Sequence, residues 1–384
     1  MRILALALAT LVFTSISAAL PAADVYVDAG LGSDTTGDGS QTTPWRTVTH
    51  ALASVSGPGM VVHVAPGLYD AALGEQFPLQ IEGGVSIVGA GVDATELRAN
   101  PLVPVLFNWT VAVAPNTLLA DMTLSHGSVG VDTIYASPSL SRLRFDQCQR
   151  GAWMDAANLV IEDCEARDCV HGFDFSDSSG VLRDARAVSC QLGLRAVPSV
   201  GAASLPRLER YVALSCDTGL AVSVGVNSPN GEFVVRDARI EGCGNGAVIS
   251  DGGWFGPFDV ACFVFERCRI SNCAGAGIST QKTALGSSRA TQLRSSVIDQ
   301  CTQGIVAQGK NFGTHAVFVD DSTVTRCGTG LRKFTSAPAK FRLSNSIVWG
   351  NAIDLATDDG DFAGVFHAGW ADVHGPSITA FGPL

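Results

Sequence analysis

Between Cys148 and Asn351 the hydrophobic pattern returns to one short phrase nine times, with successive copies 21 to 30 residues apart. The phrase runs from a large apolar residue through a mostly small one and a mainly aliphatic one to Cys and, in most copies, Gly three residues later, followed by another apolar residue. Val235, Ala238, Ile240, Cys243 and Gly246 spell it, as do Phe265, Cys268, Ile270 and Cys273, and Leu293, Ser296, Ile298, Cys301 and Gly304. Other copies end at Cys148, Cys169, Cys190, Cys216 and Cys327, and Asn351 takes the Cys place in the last. Inside a copy, apolar and polar residues alternate with period two. That predicts a strand, a turn at Cys-x-x-Gly and a second strand, with no room for a helix. A loose period of this size means stacked coils, each contacting only its neighbours. The Leu/Asn spacing of leucine-rich repeats is absent. The expected fold is therefore all-β, a single-stranded right-handed parallel β-helix in which equivalent residues form ladders about 4.8 Å apart.

The first hundred residues are patterned differently. Strand-like runs fall near residues 25–28, 61–64, 79–81, 85–88 and 96–97, separated by Gly-rich turns. Residues 47–55 fit one short amphipathic helix with Val48, Ala51, Leu52 and Val55 on one face. A stack of coils has an exposed apolar end, and this helix is placed to cover it. The chain thus divides into a leader (1–19, with cleavage as late as 23), a cap with the first coils (20–100), coils with the Cys ladder (101–351) and an irregular tail (352–384). The tail reads either as a plug for the far end or as the stump of a longer chain.

The same opening segment resembles a known one. Tyr26-Val27-Asp28, Gly32-Ser33-Asp34, Gly37-Asp38-Gly39-Ser40, Pro44-Trp45-Arg46-Thr47, Ala51-Leu52, Val64-Ala65-Pro66-Gly67-Leu68-Tyr69 and Val85-Ser86-Ile87-Val88-Gly89 are similar to the opening of secreted right-handed β-helix proteins. That opening is catalogued as a domain of unknown function, and a similar one occurs in pectate lyases of polysaccharide lyase family 9. The later coils resemble pectin-lyase-like repeats in general. The resemblance implies the fold and an extracellular polysaccharide as partner, and it carries over no catalytic residue.

Composition narrows the function class. A formal charge of −11 argues against nucleic acid, whose binders need a basic face, and against an anionic membrane surface. An acidic protein meeting a polyanionic glycan would need a bridging divalent cation, which makes Ca2+ the candidate cofactor. Met1-Arg2, the apolar run of residues 3–13 and the small residues Ser17-Ala18-Ala19 form a secretory leader, so the expected location is extracellular, cell-surface or periplasmic. No later run could span a bilayer, and the expected state is a monomer. Eleven cysteines would make an odd disulfide framework, and in-register neighbours hold their Cβ atoms further apart than the roughly 3.8 Å a disulfide prefers. They are read as buried free thiols.

Chemistry must then come from outward-facing positions. In the strand after each Gly, the second residue points out, giving the ladder Asp132, Trp153, Asp174, Arg195, Ala221, Val248, Ser279, Val306, Arg332. The fourth gives Ile134, Asp155, Ser176, Val197, Ser223, Ser250, Gln281, Gln308, Phe334, and His171 and Asp177 lie close by in sequence. Acid and aromatic character concentrates on the first four coils. Trp153 with Asp132 and Asp177 suits a sugar-binding subsite. Asp155 and Asp174, one coil apart and offset by two residues, have Cα atoms about 8 Å apart, near the spacing of inverting glycosidase carboxylates. Arg195 beside Asp174 could serve a lyase as base or charge neutraliser. Three readings stand at this point: a glycan lyase or hydrolase, a non-catalytic surface or adhesion module, and a plain surface ion pair. Asp28, Asp34 and Asp38 are candidate calcium ligands on a Gly-rich loop, against the alternative of solvated turns.

Overall fold

The computed structural model describes residues 24–57, 59–81, 84–109, 117–198, 205–224, 231–251, 261–282, 290–309, 315–334, 339–358, 366–369, 372–374 and 378–380. The leader expected at residues 1–19 lies outside them. Among the described residues every strand pairing is parallel, in two continuous sheets of 25 and 13 strands. No described helix is long and apolar enough to cross a membrane.

A coil is a three-sided turn, one side more than the alternation predicts. Asn158–Glu162, Glu165–Arg167 and His171–Ser176 are the three sides of one coil. The larger sheet carries two of the sides. They are joined at Leu118–Ser125 and Ser139–Asp146, each of which contributes to both sides and bends between them at a left-handed residue, Asp121 or Arg142. The expected single strand before each Cys is in fact broken by a residue with left-handed backbone. Arg142, Asp163, Asp184, Arg210, Asp237 and Arg267 hold this corner, six residues before the Cys, with φ between 50 and 54°. A second left-handed corner immediately precedes the Cys, at Gln147, Asp168, Ser189, Ser215, Asn272 and Arg326. A third follows the outer strand at Tyr135, Ala156 and Asp177. Polar, non-β-branched residues dominate these places because they tolerate the left-handed region best.

The Cys ladder is present and inward. Cys148, Cys169, Cys190, Cys216, Cys243, Cys273, Cys301 and Cys327 are all buried, each 1 to 3% exposed, and none is in a disulfide. The ladder starts one coil earlier than the cysteines do, because the register that pairs Asp146 with Ser125 and Arg150 with Val129 sets Gly127 opposite Cys148. At the other end Asn351 fills the slot, its Oδ1 accepting from the Cys327 amide at 2.8 Å and its Nδ2 donating to the Val324 carbonyl at 3.1 Å. Each thiol donates weakly to the carbonyl two residues back, as Cys169 does to Arg167 at 3.2 Å and Cys327 to Thr325 at 3.3 Å.

A second ladder of small residues follows the other corner. Cys164, Cys268, Ser296, Ser322 and Ser346 donate in the same way to Glu162, Glu266, Arg294, Asp320 and Ser344. Burial pushes the Cys164 and Cys268 thiols up to about 12. The Gly after each Cys is required by close approach, since a Cβ on Gly151 would lie 2.4 Å from the Gly172 carbonyl and 2.9 Å from the Phe145 Cβ.

The helix Val48–Ser54 lies over the N-terminal end of the stack, against the strands Asp24–Val27, Val61–Val64 and Leu79–Gln80. Val48, Ala51 and Val55 are buried, and Leu52 packs partly buried against them. Glu75, only 4% exposed, accepts from the Val48 and Thr49 amides at 2.7 and 2.8 Å, and Thr47 caps the helix through the His50 amide. Beyond Asn351, where an irregular tail was expected, the strands Ile353–Thr357, Phe366–Gly369, Asp372–His374 and Ile378–Ala380 continue the same sheets in register. The repeat persists there without its Cys-x-x-Gly marker.

The thiol ladder yields a direct check. A thiol reagent should label almost none of the ladder cysteines in the native protein and all of them after unfolding in denaturant without reductant. Three or more disulfides in unreduced protein, read by mass spectrometry, would contradict this arrangement.

Candidate functional site

Four stacked strands of the smaller sheet, Val129–Ile134, Arg150–Asp155, His171–Ser176 and Leu192–Val197, set the expected ladder in register. Asp132 pairs with Trp153, Trp153 with Asp174, and Asp174 with Arg195. Their neighbours along the strands point inward, as Phe173 and Phe175 show by full burial. The ladder therefore faces the opposite way from the core.

Facing outward does not leave Asp174 exposed. It is 0% exposed, covered by the charged side chains that converge on it. Arg195 Nη1 donates to Oδ1 at 2.8 Å, His171 Nδ1 donates to Oδ2 at 3.0 Å, and Arg150 Nε lies 3.5 Å from Oδ2. Burial alone would raise its pKa; the His171 hydrogen bond and the Arg195 charge outweigh burial and hold the carboxyl below its ordinary value. Asp174 is thus a fixed anion with both oxygens engaged. The weak exposed pair considered from sequence becomes a buried one.

Asp132, two coils away, is the opposite case. It is 6% exposed and its buried Oδ1 has no hydrogen-bond partner among the described residues. Burial pushes its carboxyl up to about 6, with Arg150 opposing and Asp155 reinforcing the shift. Between the two acids lies Trp153, with the Arg150 guanidinium 4.6 Å above its ring centroid. Asp132, Arg150, Trp153 and His171 line one open groove of about 430 Å³, together with Pro104 and Ser128.

Two of the expected site residues stand apart from this groove. Asp155 sits two residues further along its strand, its pKa raised by burial and by Asp177. Asp177 holds the left-handed corner at φ 50°. Sequence reasoning missed Arg150 and saw His171 only as a neighbour. The signal was available: both are the second residue after a ladder Cys, and they pair directly across coils.

The calcium candidates do not share a site. Asp28 accepts from the Gly30 and Leu31 amides, Asp34 from Arg46 and Thr47, and Asp38 from the Ser40 amide. Asp28 and Asp38 each close a local turn, Asp34 ties its loop to the residues that open the helix, and no group of three or more His, Cys, Asp or Glu side chains suited to a metal ion occurs among the described residues.

The family described as a protein of unknown function, DUF1565, matches residues 31–94. No curated protein matches the chain. Among solved structures the chain is similar to the catalytic domain of a GH87 alpha-1,3-glucanase in complex with tetrasaccharides, at 13% identity and a TM-score of 0.60 over 82% of this chain. It spans 65% of the length of that domain. It is also similar to the A-module of a mannuronan C-5 epimerase from Azotobacter vinelandii, at 14% identity and a TM-score of 0.57, covering 86% of this chain and 94% of that one. The shared feature is the fold. It is a right-handed parallel β-helix.

The buried ion pairs of Asp174 set a stability test. A carboxyl held below its unfolded pKa of about 3.9 contributes stability above that value, and the contribution is lost as pH falls through the folded pKa. Asp174→Ala leaves two cationic partners facing a space without an acceptor and should cost about 3 kcal/mol at neutral pH. Denaturant midpoints of wild type and variant should differ at neutral pH and converge at acid pH. Equal midpoints at neutral pH would show that the cluster does not hold the coils.

Proposed function

We propose that this chain is an extracellular β-helix protein that engages a polysaccharide along the groove over its first outer coils. The observation that carries the reading is the composition of that groove: one indole, flanked by a buried carboxyl with an unpaired oxygen, a guanidinium donor and an imidazole. A sugar ring offers a flat apolar face and a rim of hydroxyls. Trp153 supplies the first complement, and Asp132, Arg150 and His171 supply the second. In this reading Asp174 and Arg195 hold His171 and Arg150 in place, while Asp155 and Asp177 serve hydroxyls of a sugar further along the strands. The basic start and apolar run of the sequence support an extracellular or periplasmic location. Two fold neighbours, a glucanase domain in complex with tetrasaccharides and a mannuronan epimerase module, support a glycan as the ligand class.

The test is binding to soluble alpha-1,3-glucan, alginate and polygalacturonate, measured by affinity electrophoresis with wild type and Trp153→Ala. At least one glycan should retard the wild type. Loss of the indole should weaken that interaction roughly tenfold, the equivalent of about 1.4 kcal/mol of lost apolar burial. A bound glycan indifferent to Trp153→Ala would move the site elsewhere.

A further inference from the structure

Two groups in the groove hold their protons in opposite ways. Asp132 is nine-tenths buried and its Oδ1 lacks a donor. An unpaired buried carboxyl favours its neutral form, and a neutral carboxyl is a proton donor. Its pKa of about 6 agrees, with Arg150 pulling it down and Asp155 pushing it up. His171 is arranged the other way. Its Nδ1 proton is committed to the buried Asp174 at 3.0 Å, and Arg195 fixes the other oxygen of that acid. A neutral imidazole so pinned carries its lone pair on Nε2. Arg150, the cross-coil partner of His171, lies near Asp174 and over Trp153 and borders both groups.

Resting on the glycan reading of the groove, we infer that the protein hydrolyses a glycosidic bond there, with Asp132 as proton donor and His171 as base. In the step, the Asp132 carboxyl proton passes to the glycosidic oxygen as the bond from that oxygen to the anomeric carbon breaks. Water adds its oxygen to the anomeric carbon and gives a proton to His171 Nε2. The products are a free reducing end and a free hydroxyl. Asp132 is left as carboxylate and His171 as imidazolium, and proton exchange with solvent restores both. Asp174 is a positioning residue, fixing the tautomer of His171 and stabilising the imidazolium. The two catalytic residues come from rigid strands two coils apart, on either side of the strand that carries Arg150 and Trp153, and both line the same groove.

The experiment uses the full chain with the same three soluble glycans, following reducing ends and the ultraviolet absorbance of unsaturated sugars in parallel with binding. Wild type should release reducing ends from a glycan it binds, with no unsaturated product. Asp132→Asn and His171→Gln should each lower kcat about a hundredfold or more and weaken binding of that glycan far less than they lower kcat, since each amide keeps a hydrogen-bonding group toward the sugar. Asp132→Asn should also remove the alkaline fall of the pH–rate profile. Asp174→Asn should lower kcat more than it changes KM and shift the acid side of the profile. Carboxyl-carbon NMR of wild type against Asp132→Asn should reveal a group titrating near pH 6 in the absence of any glycan.

Unsaturated products, a fully active Asp132→Asn, or an Asp132 carboxyl titrating in the ordinary range would each overturn the inference. A glycan bound through Trp153 but left intact by wild type would overturn it too, with the binding reading still standing. Failure of every glycan to bind would remove that reading and the inference with it.

Discussion

Everything in this molecule hangs on a corner that L-residues adopt reluctantly. Left-handed backbone costs a non-Gly residue about 1 to 2 kcal/mol, yet each coil turns through it repeatedly, at places such as Asp163, Asp168 and Asp177. Stacking makes this tolerable. The corner amide of one coil donates to the next coil's carbonyl, as Gln147 does to Arg167, Asp168 to Val188 and Ser189 to Leu214. The Cys after the corner that precedes each Cys-x-x-Gly then donates its thiol to the carbonyl two residues back, and in several coils a Cys or Ser after the other corner does the same. A small side chain with a weak donor is what that slot accepts. Cys, Ser and Asn fill it in different coils, and the cysteines therefore mark the corner rather than a disulfide framework.

Because corners stack, strand length and register cannot drift, and a slip of one residue would turn every core side chain outward. That rigidity lets residues from separate coils act as one site. Asp132, Trp153, Asp174 and Arg195 come from four successive turns of chain, yet they stand in one row with no loop to order. Charged corners add to the registration, with Arg142 paired to Asp121, Arg210 to Asp184 and Arg267 to Asp237. Each such exposed pair is worth at most about 1 kcal/mol, so they tune the alignment that burial enforces.

This is why the fold and the row were legible in the sequence while the electrostatics were not. Alternation and the Cys-x-x-Gly marker are local, and they identify which residue of each coil faces which way, down to the pairing of Trp153 with Asp174. The first corner was invisible because its occupants, among them Arg142, Asp163 and Asp184, look like ordinary outward positions of one longer strand. The burial of Asp174 depends on how far Arg195 and Arg150 reach across coils, which no spacing rule encodes. Arg150 and His171 escaped because only two positions after the Gly were followed as ladders. The residue before the Gly forms a third.

The outer row also shows where stability and chemistry part. The position held by Asp132 and Asp174 is half-buried at Ala221 and Val248 and buried again further along the stack, where Ser279 is 6% and Val306 0% exposed. Small or apolar residues are thus the undemanding occupants of this place, and a carboxylate there must be compensated or stay protonated. Asp174 takes the first course, through His171, Arg195 and Arg150. Asp132 takes the second, since Arg150 only partly offsets its burial. One row, built by one repeat, therefore holds an anion and a proton donor on either side of an indole. A purely structural ladder would have no use for the second, because replacing Asp132 with the Val or Ser of later coils would relieve an unpaired buried oxygen at no loss of packing. Its presence is the strongest physical reason to look for the protein's work at this groove.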